Sequence, residues 1–233
     1  MDLHIGTSGY SYKEWKGTFY PEDLAANRML EFYANHFGAV EINNTFYRMP
    51  RANVLEQWSK QVPHHFRFVL KMPQRITHKK KLADVEEDLD YFVTTARVLG
   101  PRLGPLLVQL PPWLRKDIEK IRAFLARIPS DVRIALEVRH ASWNDEEVRE
   151  ILRGADVALC VADTEDLDQP SEITSTAGWG YLRLRRCDYK ETDLRAWRER
   201  ILGFDWSDAW VFFKHEDEGR GPDFARIFAS LAS

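Results

Sequence analysis

The stretch Ile-Ala-Leu-Glu-Val-Arg at residues 134–139 alternates between apolar and polar side chains, which is the pattern of a β-strand. A period of two residues puts Ile134 and Leu136 on one face and Glu137 and Arg139 on the other. The stretches Ala-Val-Glu-Ile-Asn at 39–43 and Tyr-Leu-Arg-Leu at 181–184 alternate in the same way. These segments are therefore predicted to be strands whose two faces have different surroundings.

Short apolar or alternating segments recur eight times along the chain, at intervals close to the length of a strand–helix–strand unit. They are Leu3–Gly6, Ala39–Asn43, Phe66–Lys71, Leu106–Leu110, Arg133–Val138, Val157–Ala162, Gly180–Leu184 and Ala209–Lys214. Apolar residues at helical spacing lie between them, in Leu24–Phe37, Asp84–Leu99, Lys116–Ile128, Asp145–Leu152, Arg195–Leu202 and Pro222–Leu231. Asn144 is the expected N-cap of the fourth of these helices.

Regular alternation of strands and helices predicts a parallel sheet. Eight repeats, with no glycine-rich phosphate motif after the first strand, favour a closed (β/α)8 barrel that forms a single domain over residues 1–233. Residues 163–178 are polar and rich in turn formers, so an irregular connection is expected after the sixth strand. An open doubly wound sheet is the alternative fold.

The composition excludes several classes of protein. With 44% hydrophobic and 30% charged residues, the chain is neither disordered nor fibrous. Its net charge of −3 argues against a dedicated nucleic-acid binder. The two cysteines, Cys160 and Cys187, exclude a disulfide framework and suit a reducing compartment. No apolar run is long enough for a membrane span and no secretory signal is visible. We therefore expect a cytoplasmic protein with no membrane partner. The sequence leaves its oligomeric state open.

Polar side chains interrupt strands that should be apolar on both faces in a parallel sheet. In a barrel the bulky apolar face meets the helices, so the polar face must point inward. Most of these residues lie near the carboxyl ends of their strands, where barrel enzymes have their active sites. The set comprises Glu41, Asn43, Lys71, Gln109, Glu137, Arg139, Arg183 and Lys214.

A purely structural role for these charges is the simpler alternative, because Glu41, Glu137, Arg139 and Arg183 can neutralise one another. Burying several charges nevertheless costs several kcal/mol for each ion unless pairing compensates. Further polar residues follow the strand ends, namely Ser8, Thr45, His78, His140, Asp163 and His215. The cationic side chains Lys71, Arg139, Arg183 and Lys214 suit an anionic ligand.

The same segments resemble a known family. Gly-Thr-Ser-Gly-Tyr at 6–10, Val-Glu-Ile-Asn-Asn-Thr-Phe-Tyr-Arg-Met-Pro at 40–50 and Ala-Leu-Glu-Val-Arg-His-Ala-Ser-Trp at 135–143 are similar to motifs of the domain of unknown function 72 family, also called YecE-like. Ile76-Thr77-His78, the stretch 103–112 and Asp163 extend the likeness over essentially the whole chain. The resemblance implies a TIM-type barrel and brings no particular reaction with it.

Two segments depart from the pattern of that family. After the seventh strand many members have an Arg-Leu-His-Gly run, whereas this chain has Arg183-Leu184-Arg185-Arg186. After the eighth strand many have paired asparagines, and here the run is Lys214-His215-Glu216-Asp217. The floor of a shared site is therefore expected to be similar, while its rim differs.

These observations lead to a hypothesis for the function. We expect an enzyme, a hydrolase or a lyase, that acts on a small anionic substrate, phosphorylated or carboxylated, by acid–base chemistry at the carboxyl-terminal face of the barrel. The candidate catalytic residues are Glu41, Glu137, His140 and Asp163. The candidate substrate-binding residues are Ser8, Asn43, Tyr47, Lys71, His78, Gln109, Arg139, Arg183, Lys214 and His215.

Two other functions stay open. The basic stretches 78–81 and 183–200, together with aromatic residues in the strand-end loops, are compatible with a nucleic-acid-binding or metal-dependent phosphodiesterase barrel. A non-catalytic metabolite-binding barrel is the third candidate. The sequence identifies no cofactor, and a divalent metal held by residues from the set His78, His140, His215, Glu137, Asp163 and Glu216 is an open alternative.

Overall fold

The two faces of the strands build two separate cores in the computed structural model, which describes residues 1–165, 171–214 and 219–231. The outer core packs strand side chains such as Val40, Leu70 and Val211 with the surrounding helices. The inner core consists of Ala39, Val69, Leu107, Ala135, Ala158, Cys160, Trp179, Tyr181, Trp210 and Phe212. A sheet that is buried on both faces and filled on its inside is the arrangement of a closed barrel.

Within the described residues the sheet has nine strands, and every pairing between them is parallel. They are β1 (Asp2–Ser8), β2 (Ala39–Ile42), β3 (Arg67–Lys71), β4 (Leu103–Gln109), β5 (Ile134–Glu137), β6 (Ala158–Leu159), β7 (Val161–Asp163), β8 (Gly180–Leu184) and β9 (Asp208–Phe213). Their spatial order is β6-β5-β4-β3-β2-β1-β9-β8-β7, so the first strand pairs with the last one. The structure thus confirms the predicted α/β fold, a nearly closed parallel barrel of the TIM type.

The predicted sixth strand, Val157–Ala162, is divided in two at Cys160. Before this residue β6 pairs with β5, and after it β7 pairs with β8. The backbone N–H of Cys160 donates to the carbonyl of Leu136 at 2.9 Å, so the dividing residue still belongs to the β5 side. Nine strands therefore replace the eight predicted, because one strand spans both edges of the sheet.

Helices surround the barrel on its outside. They are α1 (Met29–Ala34), α2 (Asn44–Tyr47), α3 (Ala52–Gln61), α4 (Glu86–Ala96), α5 (Ile118–Leu125), α6 (Glu146–Gly154), α7 (Glu191–Leu202) and α8 (Arg220–Ser230), with a π-helical turn at Arg75–Lys79. Residues 171–178 of the predicted irregular connection contain neither helix nor strand. Within the described ranges, no helix combines the length and the apolar character needed to cross a bilayer.

Some local predictions were wrong. The N-cap of α6 is Asp145, whose carboxylate accepts a hydrogen bond from the backbone N–H of Glu147 at 3.0 Å, and not Asn144. The predicted helix Leu24–Phe37 contains only a short 3-10 turn at Ala26–Arg28 followed by the six residues of α1. Helix α3 was not predicted, because among its residues only Leu55 is buried and its apolar face is therefore weak in the sequence.

The amino end of the barrel is closed by an ion pair and aromatic rings. Both guanidinium Nη atoms of Arg133 donate to the carboxylate of Asp208 at 2.9 Å, and the indole N–H of Trp210 donates to the same carboxylate at 2.7 Å. Arg133 also lies over the ring of Trp179, and His4 stacks on Trp210 with the ring centres 4.0 Å apart. These contacts stabilise the amino end, and a ligand site is expected at the carboxyl end because barrel enzymes have their active sites there.

The close approach of β1 and β2 generates a stability prediction. A Cβ atom at Gly6 would lie 1.9 Å from the carbonyl oxygen of Ala39, so a side chain there collides with backbone. We expect Gly6→Ala to lower the free energy of unfolding by about 3 kcal/mol, which urea unfolding measures. Gly154→Ala is the control, since a Cβ atom at Gly154 would meet no other atom within 4 Å and alanine favours a helix. Equal stability of Gly6→Ala and the wild type would contradict this interpretation of the contact.

Candidate active site at the carboxyl end of the barrel

Five inward-facing polar side chains meet at the carboxyl end of the barrel, each from a different strand. They are Glu41, Lys71, Gln109, Glu137 and Arg183. Each is the last or the next-to-last residue of its strand, and the alternation along the strand turns it inward while its neighbours pack against the helices. All are buried, with Lys71 the most exposed at 9%. The inward orientation predicted for these five residues is confirmed.

Arg183 connects the two glutamates. Its Nη2 atom donates to Oε1 of Glu41 at 2.9 Å and its Nη1 atom donates to Oε2 of Glu137 at 2.6 Å. Glu41 also accepts hydrogen bonds from the hydroxyls of Ser8, at 2.8 Å, and Tyr181, at 2.6 Å. The guanidinium therefore bridges carboxylates from β2 and β5, and Glu41 is held by donors on both of its oxygens.

These three groups remain charged at neutral pH. Burial by itself raises the pKa of the Glu137 carboxyl, but Arg183 and Arg139 outweigh it and lower this pKa to about 2. Burial likewise raises the pKa of Glu41, and the charge of Arg183 with the surrounding donors brings it below its usual value. Burial opposes the charge of Arg183, yet the two glutamates raise its pKa well above the usual range. The two glutamates are therefore ionised acceptors throughout the physiological pH range.

Gln109 extends the network from Glu137 to Lys71. Its amide Nε2 donates to Oε1 of Glu137 at 2.8 Å, and its Oε1 accepts from Nζ of Lys71 at 2.8 Å. An ionised carboxylate can only accept hydrogen bonds, so it determines which end of the amide faces it. The carbonyl end of Gln109 is thereby directed at the amine of Lys71.

Lys71 has unusual surroundings for a buried lysine. Its Nζ atom lies 4.2 Å from the centre of the Phe46 ring and bonds to a neutral amide, and it forms no ion pair with a carboxylate of the described chain. Burial is the main cause that lowers the pKa of this amine to about 8, and the positive charge of Arg183 adds to it. A substantial fraction of the amine is therefore neutral close to physiological pH.

Further cationic and imidazole groups surround this amine. Nε of Arg139 donates to Oε1 of Glu137 at 3.1 Å, and about a third of the Arg139 side chain is exposed. Burial, together with the charge of Arg183, lowers the pKa of Arg185, which places a further guanidinium near the network. The ring of His78 lies 4.9 Å from that of Phe46, and its pKa is lowered by partial burial and by Lys71.

Three other residues of the predicted site, Asp163, His140 and Tyr47, lie apart from this network. Asp163 accepts from the hydroxyl of Tyr189 at 2.6 Å, and its buried Oδ1 atom has no hydrogen-bond partner among the described residues. His140 accepts from the backbone N–H of Ser142 and caps the turn 141–143. Tyr47 is 74% exposed. Lys214 follows β9 at the same end of the barrel, and its backbone N–H donates to the carbonyl of Leu184.

Asn43, also a predicted site residue, lies at the edge of the network. Its side-chain amide donates to Oε1 of Glu41 at 3.3 Å. His215 and the neighbouring Glu216 lie outside the described residues. Among residues 1–165, 171–214 and 219–231, no group of three or more His, Cys, Asp or Glu side chains is placed to hold a metal ion.

Three residues of the network were not among the predicted site residues. Tyr181 shares the inward face of β8 with Arg183, so the same alternation identifies it. Phe46 precedes the predicted Tyr47 in α2, and α2 turns Phe46 toward Lys71 while Tyr47 faces solvent. Arg185 follows Arg183 by two residues and so continues the same parity just beyond the end of β8.

The bridge formed by Arg183 generates a prediction about pH and stability. Because the folded-state pKa of Glu137 is below its ordinary value of 4.5, its ionisation adds stability that is complete above pH 4.5 and lost as the pH falls toward 2. In Arg183→Met, burial of Glu41 and Glu137 is no longer offset by this cation, so their folded-state pKa values rise. A carboxyl with a raised pKa costs stability that grows as the pH rises above its ordinary value.

We therefore expect Arg183→Met to lose about 3–5 kcal/mol of unfolding free energy at pH 7, and clearly less at pH 4.5, in urea unfolding experiments. Arg97→Met is the control, since the Arg97–Asp131 pair is largely exposed and its loss changes stability by less than about 1 kcal/mol at either pH. The opposite outcome is an equal loss of unfolding free energy in Arg183→Met at both pH values. It would show that the arginine does not keep the carboxyls ionised.

Comparison with known proteins identifies the family. The model of a family described as "Protein of unknown function DUF72" matches residues 4–233. The UPF0759 protein YecE of Escherichia coli (strain K12) is 30% identical over 155 residues, which are 65% of this chain and 54% of YecE. The match thus spans about half the length of this curated relative.

Solved structures agree with this match. The crystal structure of a DUF72 family protein from Thermotoga maritima MSB8 has a TM-score of 0.84 at 26% identity, and the comparison covers 98% of both chains. A second DUF72 family protein, from Enterococcus faecalis V583, has a TM-score of 0.77 at 18% identity over 97% of this chain and 93% of its own, a likeness in fold. With a family match over nearly its whole length, this chain belongs to the DUF72 family.

Proposed function

We propose that the protein is an enzyme that converts a small anionic substrate, phosphorylated or carboxylated, by acid–base chemistry at the carboxyl-terminal face of the barrel. The observation that carries this proposal is the charge balance of the network. Among the described residues of the network, the two carboxylates Glu41 and Glu137 are outnumbered by the three cationic side chains Lys71, Arg139 and Arg183. A network that served only to neutralise its own charges would not need this surplus of positive charge.

The surplus cations are suited to hold an anion. Arg183 is committed to the two glutamates through Nη1 and Nη2, but its buried Nε atom has no hydrogen-bond partner in the described chain. Arg139 contacts Glu137 through its Nε atom, and about a third of its side chain is exposed at the carboxyl end of the barrel. Guanidinium groups bind carboxylate and phosphate with two parallel hydrogen bonds, so Arg139 is assigned to the anionic group of the substrate.

Proton transfer is assigned to Lys71. A carboxyl with a pKa of about 2 that accepts three hydrogen bonds, as Glu137 does, is a weak base, and Glu41 is similarly committed. The amine of Lys71, with a pKa of about 8, matches the pH at which an enzyme base operates. His78, whose ring also packs against Phe46, is the second proton carrier, since its lowered pKa favours the neutral ring that can accept a proton. The free thiols of Cys160 and Cys187 support a cytoplasmic location for this activity.

Anion binding is tested by calorimetric titration of the protein with inorganic phosphate, sugar phosphates and short carboxylic acids. We expect Arg139→Gln to weaken binding about tenfold or more, because it removes a charge-assisted contact. Arg153→Gln should bind as the wild type does, since Arg153 pairs with Glu146 on the outer helix α6. Undetectable binding of every small anion, or stronger and salt-dependent binding of DNA or RNA, would overturn the small-molecule assignment.

The acid–base part has its own test in the pH dependence of turnover, followed by NMR on any anion that binds. If the neutral amine of Lys71 is the base, kcat/KM rises about tenfold for each pH unit up to about pH 8 and then levels off. Lys71→Met should reduce turnover about 100-fold or more while Arg139-dependent binding remains. Ligand binding without any conversion would instead describe a metabolite-binding barrel and overturn the catalytic assignment.

A further inference from the structure

We propose that Lys71 acts as a nucleophile and forms an iminium bond with a carbonyl substrate that carries a carboxylate or phosphate group. This inference rests on the proposed function and gives it a substrate class, namely 2-oxo acids and phosphorylated ketones or aldehydes. It assigns the lone pair of the buried amine to bond formation with carbon, in addition to proton transfer.

The first support is the set of groups that surround Lys71. A buried lysine is normally compensated by a carboxylate, because an isolated ammonium ion is costly away from water. Two carboxylates lie in the same network, yet the side chains are arranged so that Gln109 stands between Glu137 and Lys71. The amine thus meets a neutral amide oxygen and the face of Phe46, and the arrangement leaves its charge without a paired carboxylate in the described chain.

The second support is the orientation of the amine. The carbonyl of Gln109 accepts one hydrogen of Nζ, and that carbonyl is turned toward Lys71 by the carboxylate of Glu137. One N–H is thereby anchored, and no other hydrogen bond from Nζ to the described chain competes with it. When the amine is neutral, its lone pair is free to attack a carbon that approaches from the mouth of the barrel. Gln109 therefore acts as a positioning residue.

The electrostatic surroundings favour the same chemistry. Burial and the neighbouring Arg183 and Arg139 lower the pKa of Lys71 from 10.5 to about 8. At pH 7 this raises the neutral fraction of the amine roughly 300-fold. Desolvation and a nearby cation are the two means by which proteins activate lysine as a nucleophile toward carbonyl compounds.

Iminium formation requires addition of the amine to the carbonyl, followed by loss of water. The nitrogen lone pair forms a bond to the carbonyl carbon, the carbonyl π electrons move to oxygen, and proton transfer from nitrogen to oxygen gives a neutral carbinolamine. Protonation of its hydroxyl and loss of one water molecule then leave the positively charged iminium. His78 packs against the same Phe46 ring as the amine, and it is assigned to carry the protons of this step. The anionic group of the substrate is assigned to Arg139, which contacts Glu137 and is about a third exposed.

Reductive trapping tests the proposal directly. The intact protein is incubated with pyruvate or dihydroxyacetone phosphate and with sodium borohydride, and its mass is measured before and after proteolysis. Reduction of an iminium adds the mass of the probe less one oxygen atom. We expect a single adduct per chain, located on Lys71, in a yield about tenfold above that with acetone, which lacks the anionic group.

Matched variants decide the outcome. Lys71→Met and Lys71→Arg should give no adduct at this position, whereas Lys81→Met should react as the wild type does, because Lys81 also lies over an aromatic ring, Trp113, but is exposed. Adducts spread over surface lysines, or an unchanged yield in Lys71→Met, overturn the inference. If phosphate binding still depends on Arg139 in that case, the proposed function survives without the covalent step. Equal trapping of acetone and the anionic probes would retain the covalent step and reject the anionic substrate class.

Discussion

The guanidinium of Arg183 lies between two carboxylates that come from strands spaced around the barrel, and it makes their burial tolerable. Removing an ion from water costs several kcal/mol, and this cost is offset inside a protein only by close pairing and complete hydrogen bonding. Glu41 and Glu137 meet that condition because Arg183 reaches both. The rest of the site follows from this bridge. An ionised Glu137 orients Gln109, and Gln109 in turn holds the amine of Lys71.

The interior of the barrel is divided along its axis into an apolar half and a charged half. Trp179 and Trp210 lie in the amino-terminal half, and Tyr181 lies at the boundary, with its hydroxyl bonded to Glu41. Phe212, the register partner of Arg183 on the neighbouring strand, has its ring 5.5 Å from that of Tyr181. The side chains of the charged half are buried, and low solvent exposure strengthens the electrostatic interactions between them. Because the charged half is enclosed by the barrel, burial is the largest influence on the pKa values of Glu41, Lys71 and Glu137.

Strand periodicity accounts for what could be predicted. Glu41, Glu137 and Arg183 were placed on one interior surface because a period of two leaves no other choice once the apolar face meets the helices. The division at Cys160 could not be predicted, since Val157–Ala162 is a continuous apolar run whose two halves differ only in the strands that they pair with. The loop residues were harder still. His78 and His140 both follow strand ends in the sequence, yet His78 approaches the network and His140 caps a turn. They differ because the course of each loop depends on packing between distant segments.

The pairing of β1 with β9 has a consequence for how the barrel is made during translation. The chain emerges from the ribosome amino end first, so β1 and β2 are complete while residues 208–213 have still to be synthesised. Until then one edge of β1 has no strand to bond to, and Glu41 and Glu137 are present before Arg183. A partial barrel therefore carries an open edge and two carboxylates without their cation, and both defects disfavour premature closure. The barrel can therefore close only after nearly all of its strands have been synthesised.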